Sequence, residues 1–138
     1  MHKLTIFEKL TKLIKNSEAS SSNFLVSSIV IDKNKKEYQG VNVEYQIPTN
    51  GICAERNAIS TAITNSMKIG DLEEVHVFAR NLNNINENSF TPPCGVCRQV
   101  IYEVSNGKAK VFLYNSKGEV KKYLIQELLP MAFEGVEK

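Results

Sequence analysis

Apolar residues recur at helical spacing in two segments of the chain. The first segment presents an apolar face formed by Leu4, Phe7, Leu10, Leu13 and Ile14. Residues 53–63 repeat this period, which is typical of an amphipathic helix. A third helix is predicted over residues 92–104, because prolines such as Pro92 and Pro93 are tolerated in a first helical turn. Residues 125–129 predict one further turn or two, ended by Pro130.

Short segments rich in β-branched residues lie between these helices and predict strands. The five segments are residues 24–31, 38–43, 74–79, 110–114 and 120–124. The first two flank a polar turn and predict a hairpin, and the last two flank a second turn. The element order α-β-β-α-β-α-β-β-α predicts an α/β fold, with helices packed on a mixed sheet. At 138 residues the chain has the length of a single domain, residues 1–138.

The composition is that of an ordinary soluble globular protein, with 42% apolar and 23% charged residues. The sequence contains neither an apolar run long enough to span a membrane nor a signal-peptide core. A net charge of +2 is too small for a nucleic-acid-binding surface, so no nucleic-acid partner is expected. Three cysteines make a disulfide framework unexpected and favour a reduced, cytoplasmic location.

All three cysteines lie in two short motifs, Cys53-Ala-Glu-Arg and Pro93-Cys94-Gly-Val-Cys97. A catalytic zinc ion takes three protein ligands and leaves the fourth position for water. Glu55 follows the first thiol by two residues, so its carboxylate is expected to act on that water rather than on the metal. The combined pattern is the signature of zinc nucleoside and nucleobase deaminases. It predicts one Zn²⁺ per chain, ligated by Cys53, Cys94 and Cys97.

Charge at the predicted zinc site suggests further roles for nearby residues. Three thiolates leave zinc with a net charge of −1, which makes bound water less acidic than three neutral ligands would. We therefore predict that Arg56 or Arg98 donates hydrogen bonds to the cysteine sulfurs. Glu55 is predicted to take a proton from the water, deliver it to a pyrimidine ring nitrogen and later help ammonia leave.

Other interpretations of the cysteines stay open at this point. A structural zinc site would need a fourth ligand, and only His2 or His76 offers an imidazole. His76 lies in an apolar alternation typical of a core or sheet-face residue. Buried thiols without a metal are the second alternative. A non-catalytic zinc-binding interaction domain is a third, and it would need neither Glu55 nor Glu44.

The sequence resembles the short, free-nucleoside cytidine deaminases over residues 24–133. Besides the cysteine motifs, the likeness includes Gly40-Val-Asn42-Val-Glu44 and the segment Glu127-Leu-Leu-Pro-Met-Ala-Phe133. The resemblance implies a hydrolase for cytidine and 2′-deoxycytidine in pyrimidine salvage. It also implies a three-layer sandwich with a five-stranded mixed sheet, assembled as a homotetramer.

The same resemblance implies roles for four further residues. Asn42 and Glu44 would hold the ribose hydroxyls, and Phe24 would pack near the base. Phe133 would reach the pocket of a neighbouring subunit. Simpler interpretations remain for each residue: a turn position for Asn42, a solvated position for Glu44, and a core position for Phe24 and Phe133.

Two segments depart from the family pattern. Where the family usually continues Asn-Ala-x-Tyr after Glu44, this chain has Tyr45-Gln-Ile-Pro48, and the loop before Pro93 is longer and rich in asparagine. Both changes are expected near the substrate entrance. The alternative function is that of a blasticidin S deaminase-like enzyme or another small aminopyrimidine-nucleoside deaminase. Relatives of blasticidin S deaminase lack the ribose-binding glutamate, so Glu44 favours a nucleoside.

Overall fold

The computed structural model describes residues 3–135, and its elements follow the order predicted from the sequence. The helices are α1 (Ile6–Leu13), α2 (Ala54–Thr64), α3 (Gly95–Ser105) and α4 (Ile125–Leu128). The strands are β1 (Phe24–Asp32), β2 (Glu37–Val41), β3 (Leu72–Asn81), β4 (Lys110–Tyr114) and β5 (Val120–Leu124). Within residues 3–135, every helix is too short or too polar to cross a membrane.

The five strands form one sheet in the order β2-β1-β3-β4-β5. The β3–β4 pair is parallel and the other three pairs are antiparallel, so the predicted mixed sheet is confirmed. A parallel pair requires a crossover connection, and α3 lies in the segment that joins these two strands.

Helices cover both faces of the sheet and produce the predicted three layers. Successive strand residues point to opposite faces. Ile29 packs in the cluster that contains Leu10 and Ile14, whereas Val30 packs in the larger cluster with residues of α2 and α3. The first helix therefore covers one face, while the two helices that follow the cysteine motifs cover the other.

Gly40 permits an unusually close approach between β2 and α2. A Cβ atom at this position would lie 2.3 Å from the backbone nitrogen of Ala58 and 2.6 Å from the carbonyl oxygen of Ala54. The Asn57 amide strengthens the same contact by donating to the carbonyl of Val41 at 3.0 Å. This close packing fixes the start of α2, where the first cysteine motif lies, against the sheet.

The predicted start of α3 was wrong by three residues. The helix begins at Gly95, and Cys94 is its N-cap residue with extended backbone angles (φ −66°, ψ 168°). The prolines lie before the helix, because a residue that precedes proline is disfavoured in the helical region and Pro92 precedes Pro93. The shift leaves Cys94 at the helix end, with free N–H groups beside its thiol.

Candidate active site

The starts of α2 and α3 bring the three thiols together. Cys53 is the N-cap residue of α2, Cys94 is the N-cap residue of α3, and Cys97 lies in the first turn of α3. The three Sγ atoms all lie within 4.8 Å of one another, and those of Cys53 and Cys94 are 3.8 Å apart. Free backbone N–H groups and the helix dipoles at these two ends favour negative charge on the sulfurs.

This cluster fits a zinc ion. Zinc–sulfur bonds of about 2.3 Å in a tetrahedral arrangement place two sulfurs about 3.8 Å apart. Among residues 3–135, these cysteines are the one group of three or more potential ligands that lies close enough together to hold a metal. Three thiolates without a fourth protein ligand match a catalytic rather than a structural zinc site.

His76 does not supply a fourth ligand. His76 is buried, and its two ring nitrogens lie 2.8 Å from the hydroxyl of Tyr114 and 2.8 Å from a carboxylate oxygen of Glu74. Its ring stacks on Phe112, on the face of the sheet that carries α1. The interpretation of His76 as a sheet-face histidine is confirmed. His2 lies outside the described residues.

Arg56 stabilises negative charge on the thiols, as predicted. Its Nη2 atom lies 3.8 Å from the Cys53 sulfur. The hydrogen bond from Cys97, with a further contribution from Arg56, lowers the pKa of the Cys53 thiol to about 5. Donating that hydrogen bond to Cys53 raises the pKa of Cys97, so Cys53 is the first of the two thiols to lose its proton.

Arg98 makes no hydrogen bond to the sulfurs in the described structure, so of the two arginines that the sequence offered, Arg56 takes this role. Its guanidinium donates to the carbonyl of Pro93 at 2.7 Å and to the carbonyl of Leu128 at 2.8 Å. Arg98 therefore ties the segment before Cys94 to the end of α4. Its contribution to the thiol cluster is to fix the backbone beside one ligand.

Glu55 lies in the first turn of α2 with only 4% of its surface exposed. Burial raises the pKa of its carboxyl group to about 7, and negative charge on Cys53 acts in the same direction. A carboxyl group with a pKa near neutral pH can both accept and release a proton during one reaction cycle. Its position beside the thiols matches the acid–base role predicted from the motif.

A cleft of about 510 Å³ opens over the thiol cluster. Of the residues predicted to act on the substrate, Phe24, Asn42, Glu44 and Glu55 line it. Both segments that depart from the family pattern contribute too, through Pro48 on one side and through Thr91 and Pro92 on the other. Both segments therefore border the cleft over the thiols, and their nearness to a bound substrate stays a prediction.

The cleft also contains residues that the sequence analysis did not single out. Ser22 and Val26 flank Phe24 at two-residue intervals, so all three side chains line the cleft. Side chains on one face of an extended chain alternate in this way, so the sequence could have identified Ser22 and Val26 as cleft residues. Ile52, directly before the first motif, was also missed.

Strand β2 ends at Val41, two residues before its predicted end. Beyond that point, the side chain of Asn42 continues the hydrogen bonding between β1 and β2. Its amide donates to the carbonyl of Phe24 at 2.8 Å and accepts from the N–H of Val26 at 2.9 Å. It also accepts from the hydroxyl of Ser17. An amide nitrogen carries two hydrogens, and within residues 3–135 only one of them is used, so the other N–H of Asn42 can donate to a ligand.

The carboxylate of Glu44 is held at the cleft rather than freely solvated. It accepts hydrogen bonds from the backbone N–H groups of Ser21 at 3.1 Å and Ser22 at 3.0 Å. The hydroxyl of Ser22 donates to the same carboxylate at 2.5 Å. The interpretation of Glu44 as a merely solvated residue is therefore wrong.

Phe133 does not line the cleft of its own chain. Its surface is 67% exposed, which also rules out a core position. The side chain of Gln99 donates to the Phe133 carbonyl at 2.8 Å and thereby fixes the backbone at this point. The C-terminal segment thus presents an aromatic ring to its surroundings.

Comparisons with known proteins agree on one family. A family model described as the cytidine and deoxycytidylate deaminase zinc-binding region matches residues 2–114. The cytidine deaminase of Mycoplasma genitalium is 32% identical over 129 residues, covering 94% of this chain and 93% of the relative. The cytidine deaminase of Sporosarcina psychrophila is 32% identical over 112 residues, covering 81% of this chain and 76% of the relative.

Solved structures show the same fold. The crystal structure of the cytidine deaminase from Burkholderia pseudomallei matches with a TM-score of 0.83 and 28% identity, over 94% of this chain and all of that one (100%). The cytidine deaminase from Mycobacterium tuberculosis matches with a TM-score of 0.73 and 21% identity, over 96% of this chain and 100% of that one. The predicted fold class is confirmed.

Proposed function

Because the chain belongs to the cytidine deaminase family, we propose that it catalyses the zinc-dependent hydrolytic deamination of cytidine and 2′-deoxycytidine to uridine and 2′-deoxyuridine, in pyrimidine salvage. One observation carries this conclusion. Three thiols with zinc-site spacing and the buried carboxylate of Glu55 meet at one cleft. The thiols provide the metal ligands, Glu55 provides the proton carrier, and the cleft provides the space for the substrate.

The residues of the chain divide the chemistry among them. Cys53, Cys94 and Cys97 would hold the zinc ion, which would supply the Lewis acidity that lets water lose a proton near neutral pH. Glu55 takes a proton from this water and delivers it to the pyrimidine ring nitrogen, while the water oxygen bonds to the amino-bearing carbon. The carboxylate of Glu55 then takes the proton that remains on the new hydroxyl group of that carbon and transfers it to the amino group. The carbon–nitrogen bond breaks, ammonia leaves and the carbonyl of uridine remains.

The other cleft residues bind the nucleoside. Asn42 offers its remaining N–H, and Glu44 offers a carboxylate oxygen to the ribose hydroxyls, while Phe24 packs near the base. Among the described residues that line the cleft, Arg56 is the only cation, and it contacts Cys53. The other charged groups that line the cleft are the carboxylates of Glu44 and Glu55, which would repel a phosphate. The charge distribution therefore supports a free nucleoside over a nucleotide or a nucleic acid.

A substrate panel followed by ultraviolet absorbance tests this assignment. The protein should deaminate cytidine and 2′-deoxycytidine much faster than dCMP, cytosine or blasticidin S. Glu44→Ala should raise KM for cytidine by roughly one to two orders of magnitude, because it removes a charged hydrogen bond to the sugar. Glu73→Ala removes an exposed carboxylate that pairs with Lys35 outside the cleft, and should leave KM unchanged. Faster turnover of blasticidin S or cytosine than of cytidine would favour the alternative enzyme.

The working form of the enzyme is a homotetramer in which Phe133 completes the cleft of a neighbouring subunit. Its support is the exposed apolar surface near the site: Ile47 is 60% exposed, Val96 is 59% exposed and Phe133 is 67% exposed. Light scattering should report a tetramer, and Phe133→Ala should retain assembly but raise KM. Ile69→Ala is a matched control, since Ile69 is also exposed and lies outside the cleft. A fully active monomer would contradict this assembly.

The cytoplasm is the compartment that suits this chemistry. The three cysteines are free thiols, and they must stay reduced to serve as metal ligands. The small-molecule partners of the proposed enzyme are free pyrimidine nucleosides.

A further inference from the structure

Glu44 owes its position to one short turn. The turn contains Ser20-Ser21-Ser22, a segment whose composition alone indicates no function. Oε1 of Glu44 accepts from the N–H groups of Ser21 and Ser22, whereas Oε2 accepts from the hydroxyl of Ser22. A carboxylate has about four acceptor positions, two on each oxygen. Oε1 is therefore filled, and the remaining acceptor position lies on Oε2, beside the hydroxyl of Ser22.

The hydroxyl of Ser22 joins two groups at the cleft. It donates to Oε2 of Glu44 at 2.5 Å and accepts from the N–H of Phe24 at 3.1 Å. Of the three contacts to the carboxylate in the described structure, this one comes from a side chain and the other two come from the backbone. Replacing Ser22 with alanine would thus remove one defined restraint and keep the N–H groups of the turn.

The turn itself is held from two sides. Asn23 has a left-handed backbone (φ 57°), and its N–H donates to the carbonyl of Ala19 at 2.7 Å. From the asparagine-rich loop, the N–H of Leu82 donates to the carbonyl of Asn23 at 2.8 Å. The Asn83 amide also contacts this turn, through the carbonyl of Ser22 and the side chain of Asn23. A turn supported in this way presents the serine hydroxyl in a fixed direction.

We infer that Ser22 is a positioning residue for the sugar: its hydroxyl orients the Glu44 carboxylate so that the free acceptor position of Oε2 faces the ribose. This inference rests on the proposed function, which assigns Glu44 to the ribose hydroxyls. Ser22 lines the cleft but acts through Glu44, and Glu55 and the thiols do not depend on it. Its loss should therefore weaken nucleoside binding and leave the chemical step unchanged.

Steady-state kinetics of the zinc-loaded full chain test this role. Ser22→Ala should raise KM for cytidine roughly tenfold with kcat unchanged, the size expected for one hydrogen bond to a charged group. Ser22→Thr keeps the hydroxyl and should restore most of the affinity. Ser20→Ala is the matched control, since it removes a neighbouring serine hydroxyl that donates no hydrogen bond to Glu44 in the described structure, and its KM should equal that of the wild type. In a Glu44→Ala background, Ser22→Ala should have no further effect.

The outcomes separate this inference from the proposed function. A wild-type protein that does not deaminate cytidine would refute the proposed function itself. A wild-type protein that does so, with an unchanged KM in Ser22→Ala, would refute only the role of Ser22. An additive effect of Ser22→Ala in the Glu44→Ala background would refute it as well. If Ser22→Ala does not fold, Ser22→Gly removes the same hydroxyl, and the same KM values decide.

Discussion

Replacing Glu55 with glutamine is expected to reduce the turnover of cytidine by roughly 10²–10⁴-fold or more. The carboxyl group is buried, and its raised pKa of about 7 suits a group that carries a proton from water to the base. Glutamine has nearly the same shape but cannot transfer that proton. The fold and the bound zinc should therefore survive the substitution, and the loss should appear in kcat.

Elemental analysis and circular dichroism of the same samples show whether the lost activity comes from the missing carboxyl group rather than from loss of zinc or of the fold. Glu55→Gln should retain about one zinc per chain and the spectrum of the wild type. Glu73→Gln makes the same chemical change at an exposed carboxylate outside the cleft and should keep full activity. Substantial activity in a zinc-loaded Glu55→Gln protein would contradict the acid–base role of Glu55.

Replacing Cys94 with alanine should abolish both zinc binding and activity. Cys94 is exposed whereas Cys97 is completely buried, so Cys94→Ala removes a ligand with little loss of apolar packing. Zinc binds the folded chain through ligands from two helix ends, so binding and folding are coupled. The melting temperature should therefore fall because the metal is lost rather than because a cavity forms.

Chelation provides the matched comparison for this prediction. Wild-type protein treated with a strong zinc chelator should unfold at a temperature close to that of Cys94→Ala, and the chelator should not change the unfolding of the mutant. Tight retention of one zinc ion by Cys94→Ala would contradict its assignment as a ligand. A large difference in stability between the metal-free proteins would show that Cys94 also stabilises the fold directly.

The elements of the fold were predictable because their hydrophobic patterns are local. The five strands and the order of the helices follow from segments that each bury one face or both. The predicted ends of elements were wrong where another local preference or a distant contact determines where the element begins or ends. The Pro92-Pro93 pair delays the start of α3, and the side chain of Asn42 replaces the backbone partner at the predicted end of β2.

In the candidate site, too, some residues could be predicted from the sequence and others depend on contacts between distant parts of the chain. Cysteine spacing identified the thiols and Glu55, because a metal site needs particular atoms at particular positions in a helix turn. The sequence did not distinguish Arg56 from Arg98, since both follow a thiol closely. What separates them is the packing of α4 against α3, which supplies the Leu128 carbonyl to Arg98. The role of the Ser21–Ser22 turn likewise depends on Glu44, which lies more than twenty residues away in the chain.

Zinc titration of the metal-free protein, with cytidine turnover as the readout, tests whether deamination requires a zinc ion held by the three thiols. Apo-protein should be inactive, and activity should rise in proportion to added zinc until about one ion is bound per chain, with uridine and ammonia as the products. Cytidine turnover by the metal-free protein would contradict the zinc-dependent mechanism. So would a fully zinc-loaded protein that leaves cytidine unchanged.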